Sequence, residues 1–214
     1  MNKIYINTAA LLFGLFATEA IASVTIQSTN LNAVVANSGA IVDNTGSVIL
    51  KDFGFVGIGS FGSMTDLQIQ DLTSASAIDG SFDLLDSTTM NVANGIWDTI
   101  LSNASNPSGF SGLPIFTLVG NGVDIASSDQ FFIYRNSAVN GTGNFNESPG
   151  ANEGALVAEG SESTGSIVVG SYGSFQYDVG AGLVDAFNLV TVPEPSSLTL
   201  LGLGLVGFTL RRRR

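Results

Sequence analysis

The carboxyl end of this chain sets the first limit on its fold. From Leu198 to Leu210 thirteen residues pass without a charge, and Arg211, Arg212, Arg213 and Arg214 follow. As a helix that run reaches ~20 Å, against a hydrocarbon layer of ~30 Å. It crosses a bilayer only where the layer thins or the guanidinium groups snorkel. An arginine at mid-bilayer costs about 2.5–3.5 kcal/mol on insertion scales, so the cluster stays cytoplasmic and acts as a membrane stop. Residues 191–214 are therefore expected outside the globular core, with a single membrane-span helix at the carboxyl end.

The amino end, MNKIYINTAALLFGLFATEAIAS, has the parts of an export signal. Lys3 supplies a weak positive start and Ile4 to Ala17 an apolar stretch. Ala20 and Ala22 fit the small-x-small rule for signal peptidase, which places cleavage after Ala22 and makes 1–22 a signal peptide. An uncleaved amino-terminal anchor is the competing reading, but the apolar stretch is short and a small-residue exit follows it directly. Residues 23–190 remain for a body on the outer face of the inner membrane. At that size one domain buries about 70% of its unfolded surface.

Pro193-Glu194-Pro195 stands just ahead of the apolar run. Two prolines fix φ and hold the preceding residues extended, so this stretch resists absorption into a helix and offers an enzyme an extended grip. On these residues alone a plain linker before a tail anchor fits as well. The three parts in this order, Pro-Glu-Pro, a short apolar span and a terminal arginine cluster, resemble a PEP-CTERM sorting signal. That family occurs in Gram-negative bacteria that make extracellular polysaccharide. The resemblance implies recognition by an exosortase, a membrane-embedded transpeptidase-type enzyme, and cleavage near Pro-Glu-Pro. It implies transient tethering in the inner membrane, then release to the cell surface or the extracellular matrix of a biofilm. It carries no information about the body, because such tails are joined to unrelated domains.

Between the ends, charge is sparse and one-sided. Through Pro195 the exported part carries Lys51 and Arg135 against 17 acidic residues, a net of −15. A polyanion of this kind repels phosphate backbones, so nucleic acid is not expected as a partner. Neutral polysaccharide stays open. The sequence has no cysteine and no histidine. That removes disulfides, thiolate nucleophiles, Cys/His zinc sites and the Ser-His-Asp triad.

The body reads as mainly β, a β-sandwich-like domain with a short helical insert, because short apolar segments recur at regular spacing between polar turns. Strands are expected at 24–27, 31–35, 53–58, 115–119, 130–134, 155–158, 166–169, 174–177 and 187–190. Asp43-Asn44-Thr45-Gly46 reads as a turn and Asn121-Gly122 as a tight hairpin. Residues 65–86 read as helical, with Ser63 as the cap and Asp66 in the first turn. Asn136–Asn152 reads as a polar loop with hardly any apolar anchor. GFVGIGSFGS followed by TDLQIQDL, and IFTLVGNGVDIASSDQFFIYRN, loosely resemble other PEP-CTERM proteins, which adds support for β-rich order and adds no site.

Candidate chemistry is thin. Gly57-Ile58-Gly59-Ser60-Phe61-Gly62 matches the G-x-G-x-x-G fingerprint of dinucleotide sites, with Asp79 and Asp83 downstream. With 26 glycines in 214 residues chance matches are frequent, and the βαβ alternation is missing. Asp79-Gly80-Ser81-Phe82-Asp83 and Asp43–Gly46 offer oxygen ligands to calcium without an EF-hand pattern, and such residues serve more often as turn formers. Asn103, Asn140 and Asn146 open Asn-x-Ser/Thr triplets and read as loop residues. Trp97, the sole tryptophan, reads as core, and Tyr134, Tyr172 and Tyr177 as core or rim.

No catalytic residue, metal site or cofactor is assigned, and the body reads as a non-enzymatic structural or adhesive protein. A carbohydrate-binding module with an aromatic platform around Trp97 is the alternative. A secreted hydrolase with a facing carboxylate pair comes third.

Overall fold

The computed structural model describes residues 24–30, 40–49, 52–91, 95–103, 109–137, 143–145, 152–156, 165–178 and 183–192. The expected signal peptide with Ala20 and Ala22, the strand expected at 31–35, and everything from Pro193 to Arg214 lie outside them.

In chain order the elements are β1 (Val24–Thr29), β2 (Ile41–Val42), β3 (Phe55–Ser60), α1 (Asp66–Gln70), α2 (Ala75–Ser81), β4 (Asp83–Thr89), β5 (Asp98–Asn103), β6 (Phe116–Gly120), β7 (Gln130–Asn136), β8 (Asn152–Leu156), β9 (Gly165–Val169), β10 (Ser171–Asp178), β11 (Leu183–Asn188) and β12 (Val190–Thr191). The largest sheet runs β12-β7-β6-β3-β4, with β9 also paired to β7. All its pairings are antiparallel. Since β6 takes one edge of β7, β12 and β9 share the other: β12 at Gln130 and Phe131, β9 from Ile133 to Asn136. Two three-stranded sheets, β10-β11-β2 and β5-β1-β8, complete the strand pairing.

The central strands are buried on both faces, which explains their near-continuous apolar runs, FVGIGS, FTLVG and QFFIYRN. Residues pointing one way, Phe55, Phe116, Leu118, Phe131 and Ile133, pack with Ile69, Ala75, Ile78 and Phe82 of the helical segment. Residues pointing the other way, Val56, Val119, Phe132 and Tyr134, pack with Ile41 of β2, Phe187 of β11, Leu189 and Trp97. The molecule is mainly β, with a helical layer on one face of the central sheet and the β2–β11 strands on the other. Arg135 ties α1 to β7 through Asp66 at 2.9 Å, while Gln70 Nε2 donates to the Val168 carbonyl of β9 at 3.0 Å.

Several local expectations change. The cap of α1 is Thr65, not Ser63: Thr65 Oγ1 accepts from Gln68 N–H while Gln68 Oε1 accepts from Thr65 N–H, a reciprocal capping box. Ser74 caps α2 in turn. The helical segment ends at Ser81. Residues 83–86 form strand instead, because β3 offers them an antiparallel edge that local spacing does not reveal. The expected two-residue hairpin at Asn121-Gly122 is a longer loop to Asp129, closed by the Asn121 side chain, whose Oδ1 accepts from the N–H groups of Asp129 and Gln130. The loop after Asn136 does carry an apolar anchor: Phe145 is buried against Phe110, ring centroids 5.1 Å apart.

Candidate functional site

The end of the body from which the chain leaves toward its tail is built by one row of the central sheet. Thr89, Phe55, Gly120, Phe131 and Val190 are successive cross-strand partners. Beyond that row lie Phe53, the loop from Asn121 to Asp129, and Thr191.

β12 forms there because Val190-Thr191-Val192 is β-branched and the outer edge of β7 is open at Gln130 and Phe131. Val192 N–H donates to the Asp129 carbonyl at 3.0 Å, and the Val192 side chain is buried in the helix-side core. Asn44 Nδ2 donates to Thr191 Oγ1 at 2.6 Å, and Asn44 N–H to Gln130 Oε1 at 2.8 Å. Leu189 N–H reaches the Val42 carbonyl at 3.0 Å. The next residue is Pro193, which has no N–H to add to a ladder.

Asn44 is presented by the turn expected at Asp43–Gly46. Asp43 Oδ1 accepts from Thr45 Oγ1 at 2.6 Å, Thr45 N–H at 2.8 Å and Ser47 N–H at 2.9 Å, and Gly46 takes φ +85°. Burial pushes the Asp43 carboxyl up, but these hydrogen bonds outweigh it and hold the group below the usual aspartate value. Across the end, Ser127 holds Asp124 below that value by its hydroxyl and N–H.

Residues 191–214 match the PEP-CTERM protein-sorting motif. The PEP-CTERM motif implies export, a membrane-associated sorting signal and processing by an exosortase, as the tail residues lead one to expect. Its first two residues belong to the folded body, Thr191 as the end of β12 and Val192 through its bond to Asp129 and its buried side chain, so the matched region and the body overlap. Pro193, Glu194, Pro195 and Arg211 to Arg214 lie outside the described residues. No helix among the described residues is long and apolar enough to cross a membrane. No curated protein and no solved structure matches the chain.

The remaining candidates from the sequence resolve into packing. Trp97 is fully buried, so it presents no aromatic platform to a sugar. Tyr134 is core, and Tyr172 and Tyr177 are half-buried. Gly57-x-Gly59 sits inside an antiparallel strand, not at a strand-to-helix phosphate turn. At Gly59 a Cβ would stand 2.1 Å from the Asp83 carbonyl oxygen, so this glycine serves the close approach of β4 at its register shift. Asp79 lies in α2 and Asp83 in β4, so they do not share a loop. Among the described residues no group of three or more His, Cys, Asp or Glu is placed to hold a metal. Asn103 ends β5, and Asn140 and Asn146 lie outside the described residues. A shallow groove of about 270 Å³, lined by Asp43, Ser47, Val48, Ile49, Phe53 and Asn121, opens at the tail-exit end, and its single carboxylate is the hydrogen-bonded Asp43.

Sequence reasoning missed the anchoring of the tail. The alternation Val190-Thr191-Val192 was the available signal, but only the fold places an open strand edge and Asn44 beside it.

Proposed function

We propose that this is a non-catalytic structural or adhesive protein, delivered outside the inner membrane, cut near Pro193-Glu194-Pro195 by an exosortase and retained at the cell surface or in the extracellular matrix. One observation carries the processing part of the reading. The chain is fastened to the body at Val192, by its core side chain and its bond to Asp129, immediately ahead of Pro193-Glu194-Pro195. Cutting at or after Pro193 therefore leaves every described core contact in place. The tail behaves as a detachable handle on a body that is already closed.

The intact mass of the exported protein, measured in cells with and without the exosortase, tests this. The expected result is a species that begins after Ala22 and has lost Arg211–Arg214 only when the enzyme is active. A tail retained in the presence of active enzyme reduces the motif to an anchor. Pro193→Ala with Pro195→Ala tests the grip on the extended segment, and unchanged processing of that variant counts against it.

A further inference from the structure

The tail-exit end carries two of the largest exposed apolar side chains among the described residues: Phe53 is 61% exposed and Val123 70%. Both lie just beyond the row Phe55, Gly120, Phe131, Val190, at the same end of the sheet as the point where Val192 leaves it and across β7 from that point. Five residues, Pro193 to Ser197, separate Val192 from the start of the apolar run at Leu198. Fully extended, the six steps from Val192 to Leu198 reach at most ~21 Å. The headgroup layer takes up about 5–8 Å of that on each side of a bilayer. While the tail is inserted, this end cannot stand more than ~15 Å from the lipid surface.

We propose that the face carrying Phe53 and Val123 is a membrane-docking surface, and that it rests on the outer leaflet of the bilayer that holds the tail. The proposal rests on the tail reading above. The short tether keeps the leaflet at high effective concentration, so two apolar side chains are enough to bias the body's orientation. Asp43, Asp52, Asp124 and Asp129 share this end. The only basic side chain among the described residues, Arg135, pairs with Phe116 at the opposite end of β7, and Lys51 lies outside them. The surface therefore fits a zwitterionic leaflet and is repelled by an anionic one, with the repulsion screened by salt. Docking also pins the stretch that contains Pro-Glu-Pro to the lipid surface, where a membrane-embedded enzyme works.

The test uses the tail-bearing chain from cells that lack the exosortase, reconstituted into phosphatidylcholine vesicles with brominated acyl chains. Phe53→Trp and Val123→Trp place an indole at the face, and Leu183→Trp serves as the control. Leu183 is 65% exposed and starts β11, whose other end runs parallel to β2 toward the exit. Buried Trp97 supplies a constant background that reports folding. Blue-shifted, bromine-quenched emission at 53 and 123 but not at 183, weakened by anionic lipid at low salt and restored by added salt, is the expected result. Unquenched emission at 53 and 123 in a chain that floats with the vesicles overturns the docking surface and leaves the tail reading intact. Equal quenching at all three positions overturns it too. A chain that does not float overturns both readings. If the probes are blind to lipid but Phe53→Asp impairs processing, the face belongs to the enzyme and not to the leaflet.

Discussion

Val192 N–H donates to the carbonyl of Asp129 at 3.0 Å, and the residue that follows Val192 is a proline. The last ladder bond of the body and the first residue of the processing motif are thus neighbours. The seat of Val192 should be measurable. Val192→Ala removes two methyl groups from the helix-side core and is expected to cost about 2 kcal/mol. Urea unfolding followed through Trp97 emission checks it. A loss below about 0.5 kcal/mol, the scale of an ordinary surface substitution, would mean the strand end is not seated.

Glycine replacements should split by what a Cβ meets. Gly59→Ala drives a methyl toward the Asp83 carbonyl at 2.1 Å, and backbone cannot move aside as a side chain can. A loss of about 2–3 kcal/mol is expected, the scale of overpacking a core. Gly80, inside α2, has nothing within 4 Å of its added Cβ. Gly80→Ala should stabilise by about 0.5–1 kcal/mol through helix propensity. Thermal melts of the two variants beside the parent give opposite shifts if the placement holds.

Asn30 is fully buried and joins β1 to the segment before β5: Nδ2 donates to the Gly95 carbonyl at 2.8 Å, and Oδ1 accepts from Trp97 N–H at 2.7 Å. Asn30→Ala takes the Asn30 acceptor from the buried Trp97 N–H, while the Gly95 carbonyl keeps the Ile41 N–H at 2.9 Å, so the expected cost is about 2 kcal/mol. Because one partner is Trp97, its emission should shift in the folded variant as well. Unchanged stability with unchanged emission would remove Asn30 from that role.

Acid should weaken the turn that presents Asn44 to Thr191. The folded Asp43 carboxyl titrates below its ordinary value, so its contribution is full above about pH 4 and is lost as pH falls through the lowered folded value. Asp43→Asn at neutral pH is expected to cost about 1 kcal/mol, since neutral hydrogen bonds replace charge-assisted ones. The gap between parent and variant in urea titrations should close as pH drops below about 4. A gap independent of pH would show that the carboxylate charge contributes nothing.

Much of the strand content was legible because its signals are local or repetitive. The turn at Asp43–Gly46 follows from a side chain that bonds its own backbone two and four residues on. β6 and β7 announce themselves by apolar runs. What escaped depends on distant partners. Leu84 and Leu85 look helical beside α2 until β3 provides an edge. Phe145 stands in a polar stretch and finds Phe110 far back in the chain. The glycines of Gly57-x-Gly59 imitate a phosphate loop, and only the approach of β4 reveals their use.

The order of residues along the chain is enough to show the sorting motif at its carboxyl end and the lack of cysteine and histidine. These depend on composition and order along the chain: apolar length, prolines that lack an N–H, and arginines that stay out of lipid. It took the folded structure to bury Trp97, to seat Val192 in the core just ahead of Pro193, and to leave Phe53 and Val123 exposed at the exit end. Those outcomes depend on which strand edge is left open and which face is left uncovered once sheets and helices have packed. Both are set by contacts between residues far apart in sequence.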